Sequence, residues 1–149
     1  MRILVLQHIK IEDPGFIKDL MIKDKAELTT IELDEGEKIP TNLSKFDAMF
    51  CMGGPMDTWM EKEHPWLVDE KKAIKEFVVN LKKPYLGFCL GCQLLGEVVG
   101  GKVVRSAPSL IIKSFIKPGS SILICCRTNI LITKLYIYSA GFKSFSIFL

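Results

Sequence analysis

Short apolar runs alternate with helix-like segments through the first hundred residues, and this alternation constrains the fold more than any other feature of the sequence. The first run, Ile3 to Leu6, is continuously apolar, as is typical of a strand that is covered on both faces. The four predicted strands cover residues 3–6, 27–33, 47–52 and 84–88. Because strands that alternate with helices usually form parallel sheets, we predict an α/β fold with an open, mostly parallel sheet and helices on both faces.

Two of the intervening segments carry clear helix signals. Asp13 is a suitable N-cap, and Pro14 after it is favoured at the first helical position. From Pro65 to Leu81, apolar residues recur at the spacing of one helix face. In an open α/β sheet, ligands bind beyond the carboxyl ends of the strands, so the turns after the third and fourth strands are expected to share one crevice.

The sequence GFCLGCQ at residues 87–93 puts Cys89 on a turn between a predicted strand and a predicted helix. Gly87 and Gly91 leave the room that a sharp strand-to-helix turn needs. The free N–H groups and the dipole at a helix start favour a thiolate over a thiol. Cys89 is therefore a candidate nucleophile, although a free cysteine without such flanking glycines is more often a small buried apolar residue.

A second glycine-rich turn, Gly53-Gly54-Pro55, follows the third predicted strand. A loop without side chains can present backbone N–H groups to a developing oxyanion, as acyl transfer through a thiolate requires. The alternative is an ordinary turn, and the motif taken alone favours that interpretation.

The five cysteines at positions 51, 89, 92, 125 and 126 do not suggest a disulfide framework, since their number is odd and the N-terminal apolar run is too short for a signal peptide. Cys89 and Cys92 match the C-x-x-C spacing of redox and zinc motifs. A structural zinc site needs four ligands, however, and Cys51, His64 and the late cysteines form no second pair. A redox motif would follow the first strand of its fold rather than the fourth. We expect no metal and no other cofactor.

Charge is divided unevenly along the chain. All 17 acidic residues lie at or before Glu97, where 13 basic residues give residues 1–97 a net charge of −4, whereas residues 98–149 carry seven basic residues and no acidic one. These seven cations are scattered among apolar residues, so we expect no nucleic-acid partner. No stretch reaches the roughly 18 uncharged residues of a spanning helix, so we expect no membrane partner and a cytoplasmic location.

The two glycine-rich turns together resemble the motifs of the class I glutamine amidotransferase family: CMGGP at residues 51–55, followed by GFCLGCQ at residues 87–93. The sequence LQH at residues 6–8 and HPWL at residues 64–67 look most like the stand-alone branch related to the glutaminase part of GMP synthase. The resemblance covers residues 1 to about 108.

The resemblance implies a flavodoxin-like fold and a thiol mechanism. Cys89 would attack the side-chain amide of glutamine and release ammonia, and water would then free the enzyme. The backbone N–H groups of Gly54 and Leu90 match the oxyanion hole, Gly53 lies in the same loop, and Gln93 matches a residue that shapes the substrate pocket. A γ-glutamyl peptidase or hydrolase would use the same cysteine on another γ-glutamyl small molecule. A synthetase, or a second copy of the chain, is the expected but unidentified protein partner.

The chain departs from the family where the catalytic triad should be completed. Family members supply a histidine base and an orienting glutamate from a late His-Pro-Glu segment, but here no histidine follows His64 and no acidic residue follows Glu97. His8 and His64 are expected to be surface or capping residues. Turnover should therefore fall by orders of magnitude, and a non-catalytic relative is the alternative.

The family pattern is also lost in the last forty residues. We predict a family domain at residues 1–108 and an atypical apolar, basic tail at residues 109–149. Four β-prone runs, at residues 111–112, 122–126, 130–132 and 136–138, lack the acidic residues that usually protect such segments from aggregation. We hypothesise that this tail reflects a truncated, frameshifted or otherwise altered gene.

Overall fold

The computed structural model describes residues 1–101, residue 103 and two short strands near the end of the chain. Four strands form one parallel sheet in the order β2-β1-β3-β4. They are β1 (Arg2–Gln7), β2 (Glu27–Glu32), β3 (Ala48–Cys51) and β4 (Tyr85–Gly87). The predicted flavodoxin-like α/β fold is thus confirmed, and each strand lies within two residues of its predicted ends.

The strand β1 lies in the middle of the sheet, and its side chains alternate between two apolar cores. Leu4 and Leu6 belong to the core on one face, whereas Ile3 and Val5 belong to the core on the other. All four side chains are fully buried. Burying a side chain of this size stabilises the fold by about 1.5–3 kcal/mol, which explains why the run is continuously apolar.

Three helices cover the sheet. They are α1 (Gly15–Lys23), α2 (Trp66–Lys75) and α3 (Leu90–Val98), and α2 continues into a π-helical segment at Glu76–Asn80. Side chains of α2 and α3 fill one core, and side chains of α1 pack on the other. The long predicted helix at 65–81 is confirmed as the α2 and π-helical segments. Helix α1 begins one residue later than predicted, so Pro14 and not Asp13 is its N-cap. The Oδ1 of Asp13 nevertheless accepts a hydrogen bond from the Gly15 N–H at 2.9 Å.

The last described elements are β5 (Leu135–Tyr136) and β6 (Ser146–Ile147), which pair antiparallel. The predicted β-prone runs at residues 111–112, 122–126 and 130–132 lie outside the described residues, whereas the run at 136–138 overlaps β5. The division of the chain at residues 108 and 109 stays a prediction. In the part of the chain that the structure describes, no helix is both long and apolar enough to span a membrane.

Candidate active site

Cys89 occupies the turn between β4 and α3 in a strained backbone conformation. Its φ is 46° and its ψ is −102°, a region that non-glycine residues rarely adopt. Such conformations cost about 1–3 kcal/mol and occur mainly at functional sites. The turn leaves Cys89 half-buried, immediately before the first residue of α3.

The flanking glycines allow β4, α3 and β3 to approach one another closely. A Cβ at Gly87 would lie 2.8 Å from the Gly91 carbonyl carbon, and a Cβ at Gly91 would lie 2.3 Å from the Cys51 carbonyl oxygen. Two hydrogen bonds join the turn to the end of β3. The Phe88 N–H donates to the Cys51 carbonyl at 2.9 Å, and the Gly91 N–H donates to the Met52 carbonyl at 3.2 Å. The nucleophile turn is therefore held by backbone contacts on both sides.

The second cysteine of the C-x-x-C motif, Cys92, holds the turn together through a hydrogen bond. Cys92 is buried in α3, and its thiol donates to the Gly87 carbonyl at 3.0 Å. The Tyr85 hydroxyl similarly donates to the Gly91 carbonyl at 2.8 Å. These two bonds bind the end of β4 to the first turn of α3.

The Gly53-Gly54 loop lies beside the candidate nucleophile. A Cβ built at Gly53 would stand 3.6 Å from the Cβ of Cys89, and one built at Gly54 would stand 3.1 Å from the Cδ2 of Leu90. Among the described residues, the backbone N–H groups of Gly54 and Leu90 have no hydrogen-bond acceptor. Gln93 lies one turn further along α3, where it is half-buried and its N–H donates to the Cys89 carbonyl at 3.1 Å. The structure thus brings the five predicted site residues to one end of the sheet.

His8 lies on the other side of this loop and is fully buried, so the expectation of a surface or capping histidine was wrong. Its Nδ1 is 2.8 Å from the Gly53 carbonyl oxygen, and its Nε2 is 2.8 Å from Glu70 Oε1. Its ring also stacks on Trp66, with centroids 5.4 Å apart. Both ring nitrogens are therefore occupied, and His8 cannot serve as a base for Cys89 in this arrangement.

Glu70 and Cys51 complete a buried polar cluster that the sequence analysis missed. Glu70 is fully buried on α2, and its Oε1 also accepts a hydrogen bond from the Cys51 thiol at 3.1 Å. Its Oε2 forms no hydrogen bond among the described residues. The carboxylate therefore depends on His8 and Cys51 for its stabilisation.

The cluster shifts the pKa values of its members in ways that follow from burial and charge. Burial alone would lower the pKa of His8, but the charge and hydrogen bond of Glu70, together with the Gly53 carbonyl, raise it overall. Burial raises the pKa of the Cys51 thiol well above its usual range, and the charge of Glu70 adds to this. Burial likewise raises the pKa of the Tyr85 hydroxyl.

Ligand atoms of His8, Cys51 and Glu70 lie within 4.8 Å of one another, close enough to share a metal ion. Zinc would require a thiolate, however, whereas burial raises the pKa of Cys51 and its protonated thiol donates a hydrogen bond to Glu70. The hydrogen bonds already present satisfy Oε1, Nε2 and Sγ. We therefore interpret the group as a hydrogen-bonded cluster.

His64 lies near the start of α2 and is half-buried. Its ring is tilted by 50° against Trp66, with the centroids 5.4 Å apart. His8 and His64 are the only two histidines of the sequence, and the structure gives each of them a contact with the same tryptophan.

A parallel sheet with a strained cysteine at a strand-to-helix turn and a glycine loop beside it defines a class of α/β proteins that carry a nucleophile elbow. A sequence model of the family described as glutamine amidotransferase class-I matches residues 16–122. The chain therefore belongs to the class I glutamine amidotransferase family, as its motifs predict.

Individual relatives agree with this assignment. A GMP synthase [glutamine-hydrolyzing] subunit of Saccharolobus solfataricus is 36% identical over 93 residues, which are 62% of this chain and 46% of that protein. Gamma-glutamyl peptidase 2 of Arabidopsis thaliana is 30% identical over 106 residues, which are 60% of this chain and 42% of the peptidase. The crystal structure of a glutamine amidotransferase from Thermotoga maritima superposes with a TM-score of 0.63 and 31% identity, covering 67% of this chain and 43% of the other. The matched region spans less than half the length of each relative.

Proposed function

We propose that Cys89 is the nucleophile of a glutamine amidotransferase-type site. Its thiolate would attack the γ-carbonyl carbon of glutamine, and the C–N bond would break as the leaving nitrogen takes a proton from solvent. Ammonia would be released and a γ-glutamyl thioester would remain on the sulfur. The observation that carries this proposal is the strained backbone of Cys89 at the start of α3, packed against Gly53. Strain of this kind keeps the sulfur at the mouth of the crevice and near the helix N-terminus.

The backbone N–H groups of Gly54 and Leu90 are the proposed oxyanion donors. Neither has another acceptor among the described residues, and the two residues are in contact through the Leu90 side chain. Donors that are fixed before the reaction stabilise charge on the attacked oxygen without further reorganisation. Gln93, one turn along α3, is proposed to border the pocket for the substrate.

We propose that the first half of the reaction is easier for this chain than the second. Hydrolysis of a thioester needs a base that activates water, and His8 has both ring nitrogens engaged. The 149 residues contain no histidine after His64 and no acidic residue after Glu97. One equivalent of ammonia, followed by slow turnover, is the expected time course with glutamine.

A chloroketone analogue of glutamine tests the nucleophile, because the thiolate displaces chloride and forms a stable thioether. Intact-mass spectrometry of the folded protein should show one adduct. The adduct should be absent from Cys89→Ser and present in the control Cys92→Ser, whose hydroxyl can still donate to the Gly87 carbonyl. A folded sample that forms no adduct, or forms it on another cysteine, overturns the proposal.

A γ-glutamyl peptidase is the second candidate, because the chain is 30% identical over 106 residues to a protein of that name. Both reactions begin with the same attack and differ in the leaving group. Comparing ammonia released from glutamine with amine released from γ-glutamyl dipeptides separates them. Faster release from the dipeptides favours the peptidase, and labelling with no release from either substrate favours a non-catalytic relative.

The proposed partner is a separate synthetase chain in the cytoplasm, which would receive the ammonia. The relative from Saccharolobus solfataricus supports this proposal, because it is named as one subunit of GMP synthase. A second copy of this chain is the alternative partner. Sedimentation of the purified protein distinguishes the two, since a stable dimer supports the second and a monomer leaves the synthetase as the expected partner.

A further inference from the structure

We propose that His8, supported by Glu70, is a positioning residue that fixes the Gly53–Gly54 peptide so that its N–H faces the oxyanion of the reaction. This inference rests on the proposed function, because it concerns the orientation of one proposed oxyanion donor. His8 itself touches neither the nucleophile nor the proposed position of the substrate. Its effect would be transmitted through one backbone carbonyl.

The geometry of a peptide unit makes this transmission direct. A trans peptide is planar, so the carbonyl oxygen of Gly53 and the N–H of Gly54 point in opposite directions. A carbonyl oxygen can only accept, so His8 Nδ1, 2.8 Å away, must be the donor. Fixing the oxygen toward His8 therefore directs the Gly54 N–H away from it.

The surroundings of the loop are consistent with that direction. The Cβ position of Gly53 lies against the Glu12 carboxylate and 3.6 Å from the Cβ of Cys89. Gly54 lies between His8 and Leu90. A Cβ at Gly54 would stand 3.0 Å from the Cβ of His8 and 3.1 Å from the Cδ2 of Leu90. A peptide between two glycines rotates with little steric resistance, so an external hydrogen bond is needed to hold one orientation.

Glu70 determines the protonation of the ring. Both groups that contact the His8 nitrogens, the Gly53 carbonyl and the Glu70 carboxylate, are acceptors. The ring can satisfy both only when each nitrogen carries a proton, that is, as an imidazolium. The raised pKa of His8 agrees with this requirement. When the ring loses a proton, the remaining one is held by the carboxylate, and the Gly53 carbonyl loses its donor.

The two electrophiles of the test differ in whether they use the oxyanion hole. Iodoacetamide alkylates the thiolate by direct displacement and reports only on the sulfur. The chloroketone analogue of glutamine places a carbonyl oxygen at the proposed donors. The ratio of the two second-order rate constants therefore reports on the donors and cancels changes in the thiolate.

The variant His8→Gln should lower this ratio by about 10-fold to about 100-fold. Complete loss of one oxyanion donor typically costs about 100-fold or more, and a misdirected donor should cost less. His8→Asn should recover part of the ratio, because its amide nitrogen lies near the position of Nδ1 and can still donate to Gly53. His64→Gln is the matched control, since His64 contacts Trp66 but not the loop, and its ratio should equal that of the wild type.

A second measurement uses the unaltered protein and does not depend on the variants folding. The ratio should fall as pH rises through the His8 transition, because the neutral ring releases the Gly53 carbonyl. The titratable groups that face His8 are Glu70, Glu12 and Cys51. Of these, the Cys51 thiol titrates at higher pH and leaves a separate step.

The outcomes separate this inference from the proposed function. A wild-type protein that reacts with iodoacetamide but not with the chloroketone overturns both. If the chloroketone labels the wild type selectively, two results overturn only the positioning role. One is an unchanged ratio in folded His8→Gln, and the other is a ratio that does not depend on pH. A lowered ratio with recovery in His8→Asn supports it.

Discussion

Gly91 in α3 approaches Cys51 at the end of β3 so closely that a Cβ at position 91 would lie 2.3 Å from the Cys51 carbonyl oxygen and 2.9 Å from its sulfur. The first atom belongs to the backbone and cannot move aside. This contact brings the nucleophile turn against the strand that leads into the Gly53-Gly54 loop. The distance between nucleophile and loop therefore depends on the absence of one methyl group.

Replacing Gly91 with alanine should destabilise the fold by about 3 kcal/mol or more, beyond ordinary overpacking, because backbone must shift. Gly96→Ala is the matched control on the same helix, since a Cβ there meets nothing within 4 Å. Gly96 is half-buried with open space at its Cβ position, so alanine there should stabilise the helix by about 0.5–1 kcal/mol. Urea unfolding followed by circular dichroism measures both. Equal effects of the two substitutions would contradict the close contact.

Replacing Cys89 with glycine should stabilise the protein while abolishing labelling. Glycine adopts the observed backbone angles without strain, so a gain of about 1 kcal/mol is expected. Lys25→Gly is a useful comparison, because Lys25 also has a positive φ, of 58°, outside the site. Thermal and urea unfolding report the gain. Loss of stability in Cys89→Gly would mean that the thiol contributes more through its contacts than its backbone costs.

Truncating Glu70 to alanine should cost about 3–5 kcal/mol, because the buried His8 would lose its counter-charge. Glu76→Ala, in the π-helical continuation of the same helix, removes an exposed carboxylate and should change stability by less than about 0.5 kcal/mol. Equilibrium unfolding of both variants tests the contrast. Similar small losses would show that the buried pair adds little beyond packing.

Stability should depend on pH through His8. A raised folded pKa means that the folded state holds its proton more tightly, so the contribution is complete below the unfolded value of about 6.5 and is lost as pH rises through the folded value. The Cys51 thiol should add a second loss above about pH 8.5, where it ionises in the unfolded chain. Unfolding free energies across this range, with Cys51→Ala to remove the second step, test the order. A stability that rises from pH 6 to 8 would oppose it.

The hydrophobic pattern was sufficient to predict the sheet. Leu4 and Ile3 point to opposite faces and both are buried, so a strand in the centre of a parallel sheet has no polar side and is recognisable from composition alone. The end of α2 could not be predicted from the sequence, because the change to a π-helical segment at Glu76 leaves the apolar spacing almost unaltered.

The buried cluster escaped prediction because its members look ordinary in the sequence. A signal for Glu70 was present: it lies three residues after Leu67 and four before Ile74, on the buried face of α2. A carboxylate on an apolar stripe needs a partner. Finding His8 as that partner required the three-dimensional structure, because 62 residues separate the two.

The central position of β1 has a consequence for synthesis of the chain. The ribosome makes β1 before the elements that cover it: β3 pairs with it only after residue 51 has emerged, and α3 completes one core only after residue 98. Until then, the apolar residues of β1 lack part of their core, and contacts so distant in sequence form slowly. The nascent chain should therefore need a chaperone until most of the first hundred residues are available.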